Sequence, residues 1–218
     1  MNEWILQHEV TIRLSCFFCI LVLMAGWEIL APRRSLTASK PVRWLNNLGL
    51  VFLNSALLRW IFSIAAVGLA MLAEQKQWGV LNQVNLPVEV TVIFSIVLLD
   101  GVIYLQHVMF HALPLLWRLH RMHHADVDFD VTTGSRFHPL EIILSMLIKF
   151  AVIMVLGPPA VAVLLFEVIL NAMAMFNHSN IALPVKMDKW LRLLIVTPDM
   201  HRVHHSVFTD ETNSNFGF

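Results

Sequence analysis

Residues 107–124 read HVMFHALPLLWRLHRMHH, five histidines within eighteen residues at the end of an apolar run. A second group, His201-Arg-Val-His204-His205, repeats the HxxHH spacing of His120, His123 and His124. Ten of the eleven histidines follow residue 106, so they are clustered rather than scattered. Imidazole beside a membrane is costly unless it is paired, bound to metal or hydrated. The clustering therefore reads as metal binding. His8 stands alone near the N-terminus and is set apart from it.

Around this stretch the chain is apolar. Hydrophobic residues make up 57% and charged residues 14%, outside the roughly 45–50% and about 25% of soluble domains. An all-α, polytopic membrane protein is the expected class. The formal net charge is zero and no basic stripe runs along the chain, which argues against nucleic acid as a partner. Cys16 and Cys19 lie in an apolar run, without the polar setting or second pair that a redox or zinc CxxC needs.

Apolar runs extend over about 11–30, 48–73, 88–112, 142–156 and 160–176. The first lacks the features of a cleaved signal peptide and is expected to be retained. Arg13 and Glu28 lie near its ends, where charged side chains are expected to snorkel. The last two runs, joined by Gly157-Pro158-Pro159, fall short of the ~20 residues of a comfortable span and read as a shallow hairpin. About four transmembrane helices under a histidine-rich helical cap result. Arg33, Arg34, Lys40 and Arg43 place the first loop in the cytoplasm. The loop at 74–87 is then outside. The histidine segment, with Arg118, Arg121 and Arg136, returns to the cytoplasmic side, as do Lys186, Lys189, Arg192 and Arg202. Residues 1–93 are thus N-terminal transmembrane helices, and residues 94–218 carry the histidine chemistry.

On a helix, residues three or four apart share a face. Asp100, Tyr104, His107 and His111 step by four, three and four. Asp100 is placed to accept a hydrogen bond from Tyr104 or from a ligand imidazole, and so to orient it. Glu167, Asn171, Ala174 and His178 repeat the spacing, which suggests facing helices around one site. Within HxxHH the first histidine can share a metal with either of the next two, while the adjacent pair diverges by about 100°. Each member of the pair can therefore serve a different metal. Two such boxes with His107 and His111 supply eight imidazoles, and His178 adds a ninth. A structural zinc uses four ligands, so the count argues for a dinuclear centre. Imidazole suits zinc, copper, iron and nickel alike. His138 is either a further ligand or an orienting group paired with Glu141. The acidic segment at 125–137 fails as an EF-hand, because Val131 and Phe137 stand where Gly and Glu are required. Neither HExxH nor GxSxG occurs.

The chain resembles the fatty acid hydroxylase/sterol desaturase superfamily of membrane oxidases. The resemblance is carried by Asp100-Gly-Val-Ile-Tyr104-Leu-Gln-His107-Val-Met-Phe-His111 and by His120-Arg-Met-His123-His124. It continues in Arg136-Phe-His138-Pro-Leu-Glu141, Asn177-His178-Ser-Asn180 and His201-Arg-Val-His204-His205, covering roughly residues 94–218. It implies that the eight box histidines are iron ligands, with His178 an additional one and His138 the least secure. Asp100, Tyr104, Glu141 and Asn180 are the groups expected to orient them. It further implies two iron ions that activate O2, a membrane lipid as substrate, and hydroxylation or desaturation of an unactivated C–H. Electrons would come from a separate donor of cytochrome b5, ferredoxin or reductase type. Relatives usually continue past Phe218, so part of the pocket wall is expected to be missing. Two rival readings are a membrane haem or metal-binding protein and a non-catalytic scaffold. The first would need histidines on facing spans, and the second would tolerate degraded boxes.

Overall fold

The computed structural model describes residues 2–126 and 128–217. Its helices are α1 (Asn2–Gln7), α2 (Glu9–Leu30), α3 (Lys40–Ile61), α4 (Ala66–Lys76), α5 (Val88–Ala112), α6 (Pro114–His124), α7 (Pro139–Leu156), α8 (Ala160–Asn177), α9 (Val185–Leu191), α10 (Pro198–His204) and α11 (Thr209–Thr212). Among the described residues there is no strand, only an isolated bridge between Pro32 and Ile181. Prolines open several helices, where the missing N–H costs nothing: Pro114 in α6, Pro139 in α7 and Pro198 in α10.

Among the described residues, five helical segments are long and apolar enough to cross a membrane: α2, the stretch from α3 through residue 83, α5, α7 and α8. The protein is an all-α, polytopic membrane protein. The hairpin of α7 and α8 has 18 residues in each arm, about 27 Å of helix, close to the ~30 Å hydrocarbon core. By length it crosses rather than dips. The apolar run at 48–73 also divides, because α3 ends at Ile61 and α4 restarts at Ala66. The break lets Ala66, Val67, Ala70 and Ala73 bury completely in a core with Leu99, Ile153, Val163, Leu164 and Phe166.

Burial is uneven, and α8 is the axis. Residues 160–164, Phe166, Glu167, Met175 and Asn177 are buried in it, and α2, α4 and α5 pack around it. The outer helices keep large apolar side chains exposed, such as Val22 and Leu23 on α2, Phe52 on α3, Ile93 on α5 and Val155 on α7. That pattern suits a lipid solvent. The arms of the hairpin turn at Gly157, whose φ of 66° is left-handed. A Cβ there would collide with the Trp78 carbonyl, and one at Gly79 would collide with the Gly157 backbone. Glycine at both positions lets the two loops touch.

Glu28 does not snorkel. It is buried at the end of α2, where its Oε1 accepts from the amides of Val131 (2.7 Å) and Asn180 (2.8 Å). A carboxylate at a helix C-terminus opposes the dipole, and two amide donors compensate. They tie the cap to the first span.

Candidate metal centre

Nine imidazoles meet where α5, α6, α8 and α10 converge on the cap. They fall into two sets: His107, His111, His120, His124 and His204 in one, and His123, His178, His201 and His205 in the other. Within each set the donor nitrogens all lie within 4.8 Å of one another. Each HxxHH box is divided between them. His120 and His124, one helical turn apart, face the first set, while His123 turns to the second. In the other box His201 and His205 face the second set, and His204 crosses to the first. The sets interleave, with His124 stacked on His205 at 4.2 Å between ring centroids.

The protonation pattern shows what the sets are built for. His107 Nδ1 donates to the Phe216 carbonyl (2.9 Å) and His204 Nδ1 to the Ser214 carbonyl (2.7 Å). A carbonyl can only accept, so in the neutral rings both protons sit on Nδ1 and both Nε2 atoms carry lone pairs. Those two Nε2 atoms nevertheless face each other at 3.1 Å. His120 Nε2 faces His107 Nε2, also at 3.1 Å, while its Nδ1 meets Glu141 Oε1 at 2.7 Å. In the second set a carbonyl fixes one tautomer, while Nδ1 of His123, His201 and His205 is buried without a hydrogen-bond partner in the protein. His178 Nδ1 donates to the Ala174 carbonyl (2.6 Å), and its Nε2 stands 3.0, 3.0 and 3.2 Å from Nε2 of His123, His201 and His205. Lone pairs aimed at one another repel unless a cation lies among them. Metal–nitrogen bonds of about 2.0–2.1 Å place ligand atoms at right angles about 3 Å apart. The observed spacing matches that, and five donors in one set exceed a tetrahedral shell. Both nitrogens of His124 and Nε2 of His111 are buried without a hydrogen-bond partner in the protein. The donor sets fit metal ions.

Electrostatics point the same way. Burial, reinforced by neighbouring imidazoles, holds His120, His123, His201 and His205 well below the ordinary histidine range. His124 is pushed down to about 2 and His178 to about 3, in both cases chiefly by burial. Neutral imidazole is the form that binds metal. Aromatic rings wall the site: Phe137 stacks on His123 (4.6 Å, 12°) and Phe129 on His178 (5.3 Å, 27°).

The orienting groups fare differently. Glu141 reaches His120. Asp100 Oδ1 is buried with no hydrogen-bond partner, and Tyr104 lies edge-on to Phe216 instead. Asn180 pairs with the backbone of Arg34 through both its side-chain oxygen and nitrogen. His138 is brought into neither set; its Nδ1 accepts from the Leu140 amide as the N-cap of α7. Glu167 is ion-paired with Lys149 and Arg13. His8 is exposed and hydrogen-bonded to the Trp4 carbonyl. The carbonyls of Ser214 and Phe216 have no signature in the sequence, since any residue supplies one. Residues 213–217 pass beside the first set, where the Ser214 and Phe216 carbonyls meet His204 and His107.

Beneath the histidines lies a cavity of about 360 Å³, whose lining includes His107, His120, His123, His178 and His201. Elsewhere its wall mixes apolar residues of the spans, among them Phe17, Leu58, Ile103 and Leu170, with polar and charged ones such as Asn54, Gln106, Lys149 and Glu167.

A family model described as fatty acid hydroxylase matches residues 92–218. The chain belongs to the fatty acid hydroxylase family. Among curated proteins it is 27% identical over 131 residues to the ornithine lipid hydroxylase OlsE of Rhizobium tropici. That match covers 60% of this chain and 39% of the relative, so the chain spans about two-fifths of that relative's length. No solved structure matches the chain. Family membership supports lipid hydroxylation in a membrane setting, and the histidine sets of this fatty acid hydroxylase family member fit a metal site.

Proposed function

We propose that this protein is an O2-dependent lipid oxidase whose two histidine sets hold two iron ions, hydroxylating or desaturating an unactivated C–H. The observation that carries the reading is the division of each HxxHH box between two sets of converging lone pairs. His107, His111, His120, His124 and His204 would hold one iron, and His123, His178, His201 and His205 the other. When bound, the iron pair supplies the redox chemistry with dioxygen that an inert C–H requires and that side chains alone cannot provide.

The chain's own residues prepare that chemistry. The Phe216, Ser214 and Ala174 carbonyls fix the tautomers of His107, His204 and His178, so that Nε2 is free to bind. Glu141 meets His120 Nδ1 and orients that ring. Phe129 and Phe137 exclude water and keep the rings from turning. Residues 94–218 form the catalytic unit, and residues 1–93 complete the cavity through Arg13, Phe17, Asn54 and Leu58. The site faces the cytoplasm, where a cytochrome b5, ferredoxin or reductase can deliver electrons. The relative's name makes an amino-acid lipid one reasonable substrate, alongside fatty acyl lipids generally.

Lipid extracts from cells expressing the wild type or His204→Ala, compared by mass spectrometry, test this reading. A lipid heavier by one oxygen or lighter by two hydrogens should appear with the wild type alone. The same product from the variant, at full yield, would contradict it.

A further inference from the structure

The cavity beneath the histidines does not end in hydrocarbon. Lys149 of α7, Glu167 of α8 and Arg13 of α2 also line it. Lys149 Nζ donates to Glu167 Oε1 at 2.6 Å, and Arg13 Nη1 stands 3.1 Å from Oε2. The Lys149 and Glu167 side chains are only 13% and 6% exposed. Glu167 and His178 are eleven positions apart on one helix, so the cluster lies roughly 16 Å along α8 from the metal centre. Ion pairs at this depth are expensive, and an apolar pair of the same size would pack the helices equally well. The charges therefore call for a ligand. Within this cluster, two cations against one carboxylate leave a local surplus of one positive charge, in a low-dielectric part of the cavity wall. That surplus matches a single anion.

We propose that Arg13, Lys149 and Glu167 form a carboxylate-binding subsite, which anchors an acyl lipid by its carboxylate and thereby sets which carbon reaches the histidines. This assignment rests on the reading of the site as a lipid oxidase. The cavity is near the low end of the range for ligand pockets, about 300–1,000 Å³, which suits a chain with a small terminal anion better than a phospholipid headgroup. The carboxylate has two possible sources. It belongs either to a free fatty acid or to the headgroup of an acylated amino acid, whose ammonium Glu167 would then accept.

Equilibrium binding to the purified full-length protein in nanodiscs tests the subsite, with palmitate, N-palmitoylornithine and hexadecanol as probes. A charge-assisted contact is worth enough that one carboxylate probe should bind about tenfold or more tighter than hexadecanol. Lys149→Met should erase that preference and leave hexadecanol binding and metal content as in the wild type; Lys149→Arg should restore it. Tighter binding of palmitate identifies the fatty acid, and tighter binding of N-palmitoylornithine the amino-acid headgroup. If Lys149→Met does not fold, Arg13→Gln, on the partly exposed member, serves the same comparison. Equal affinity for all three probes, or an unchanged preference in the folded variant, overturns the proposal. Binding needs neither iron nor electrons, so that failure is separate from an absence of oxidised lipid in wild-type cells, which would overturn the oxidase reading.

Discussion

Among the described residues, Glu141 is the one carboxylate in hydrogen-bond contact with a metal-facing imidazole, at 2.7 Å from His120 Nδ1. Groups behind a ligand fix its tautomer and raise its basicity, and removing them typically weakens metal binding 10–100-fold, by general experience of such sites. Glu141→Gln keeps the shape and replaces the carboxyl with an amide. It should therefore retain the fold but lose bound metal to a chelator about tenfold more readily than the wild type, measured by residual metal after dialysis. Retention equal to that of the wild type would leave Glu141 a packing group. The pairing was legible only in part. The sequence leaves His138 either a ligand or a partner of Glu141, yet His138 caps α7, and His120, 21 positions earlier, takes the carboxyl. Likewise Asp100 and Tyr104 share the helical stripe of His107 and His111, but stripe membership fixes a face and not a partner. The Phe216 carbonyl, arriving from far along the chain, takes His107 Nδ1 instead.

At the scale of elements, the cap is fastened to the spans by the acidic segment after α6. Asp126 receives Arg43 through two nitrogens, at 2.9 and 2.8 Å, and Asp130 accepts from Arg43 Nη1 at 2.6 Å. Asp128 accepts from the amides of Thr37 (2.7 Å) and Ala38. The DxDxD pattern thus anchors a loop to the start of α3. Removing Arg43 would leave two buried carboxylates without their cation, held only by neutral donors such as Asn47, Trp44, Thr132 and Thr133, and breaking a buried pair of this kind costs about 3–5 kcal/mol. Arg43→Leu should lower the thermal unfolding midpoint markedly, read by intrinsic tryptophan fluorescence in detergent, and metal should be released with the fold. An unchanged midpoint would show that Asp126 and Asp130 find other donors. Helix positions were readable from hydropathy and proline placement, because a lipid solvent enforces both strongly. The break between α3 and α4 was not, since residues 62–65 carry neither proline nor glycine and only packing against α7 and α8 sets the turn.

For the whole molecule, membrane orientation follows from where the basic loops lie. Arg33, Arg34, Lys40 and Arg43 stand at the end that carries the histidines, and the turn at 77–87 is at the other. Single cysteines in a Cys16→Ser, Cys19→Ser background test this with a membrane-impermeant thiol reagent. Val207→Cys, at a site 91% exposed on the cap, should label only after the membrane is opened. Val84→Cys should label in intact cells. The reverse pattern would invert the topology. The two-set architecture itself was foreshadowed by the divergence of adjacent histidines in HxxHH. What spacing could not give was the crossing, in which His204 joins His107 and His123 joins His178.

That crossing makes the central claim countable. The wild-type protein, purified and reconstituted anaerobically with ferrous iron, should bind two irons per chain by elemental analysis. His123→Ala and His204→Ala, each taking a ligand from a different set, should each bind one fewer under the same conditions. A wild-type stoichiometry of one, or a full complement retained by both variants, would contradict a centre built from two histidine sets.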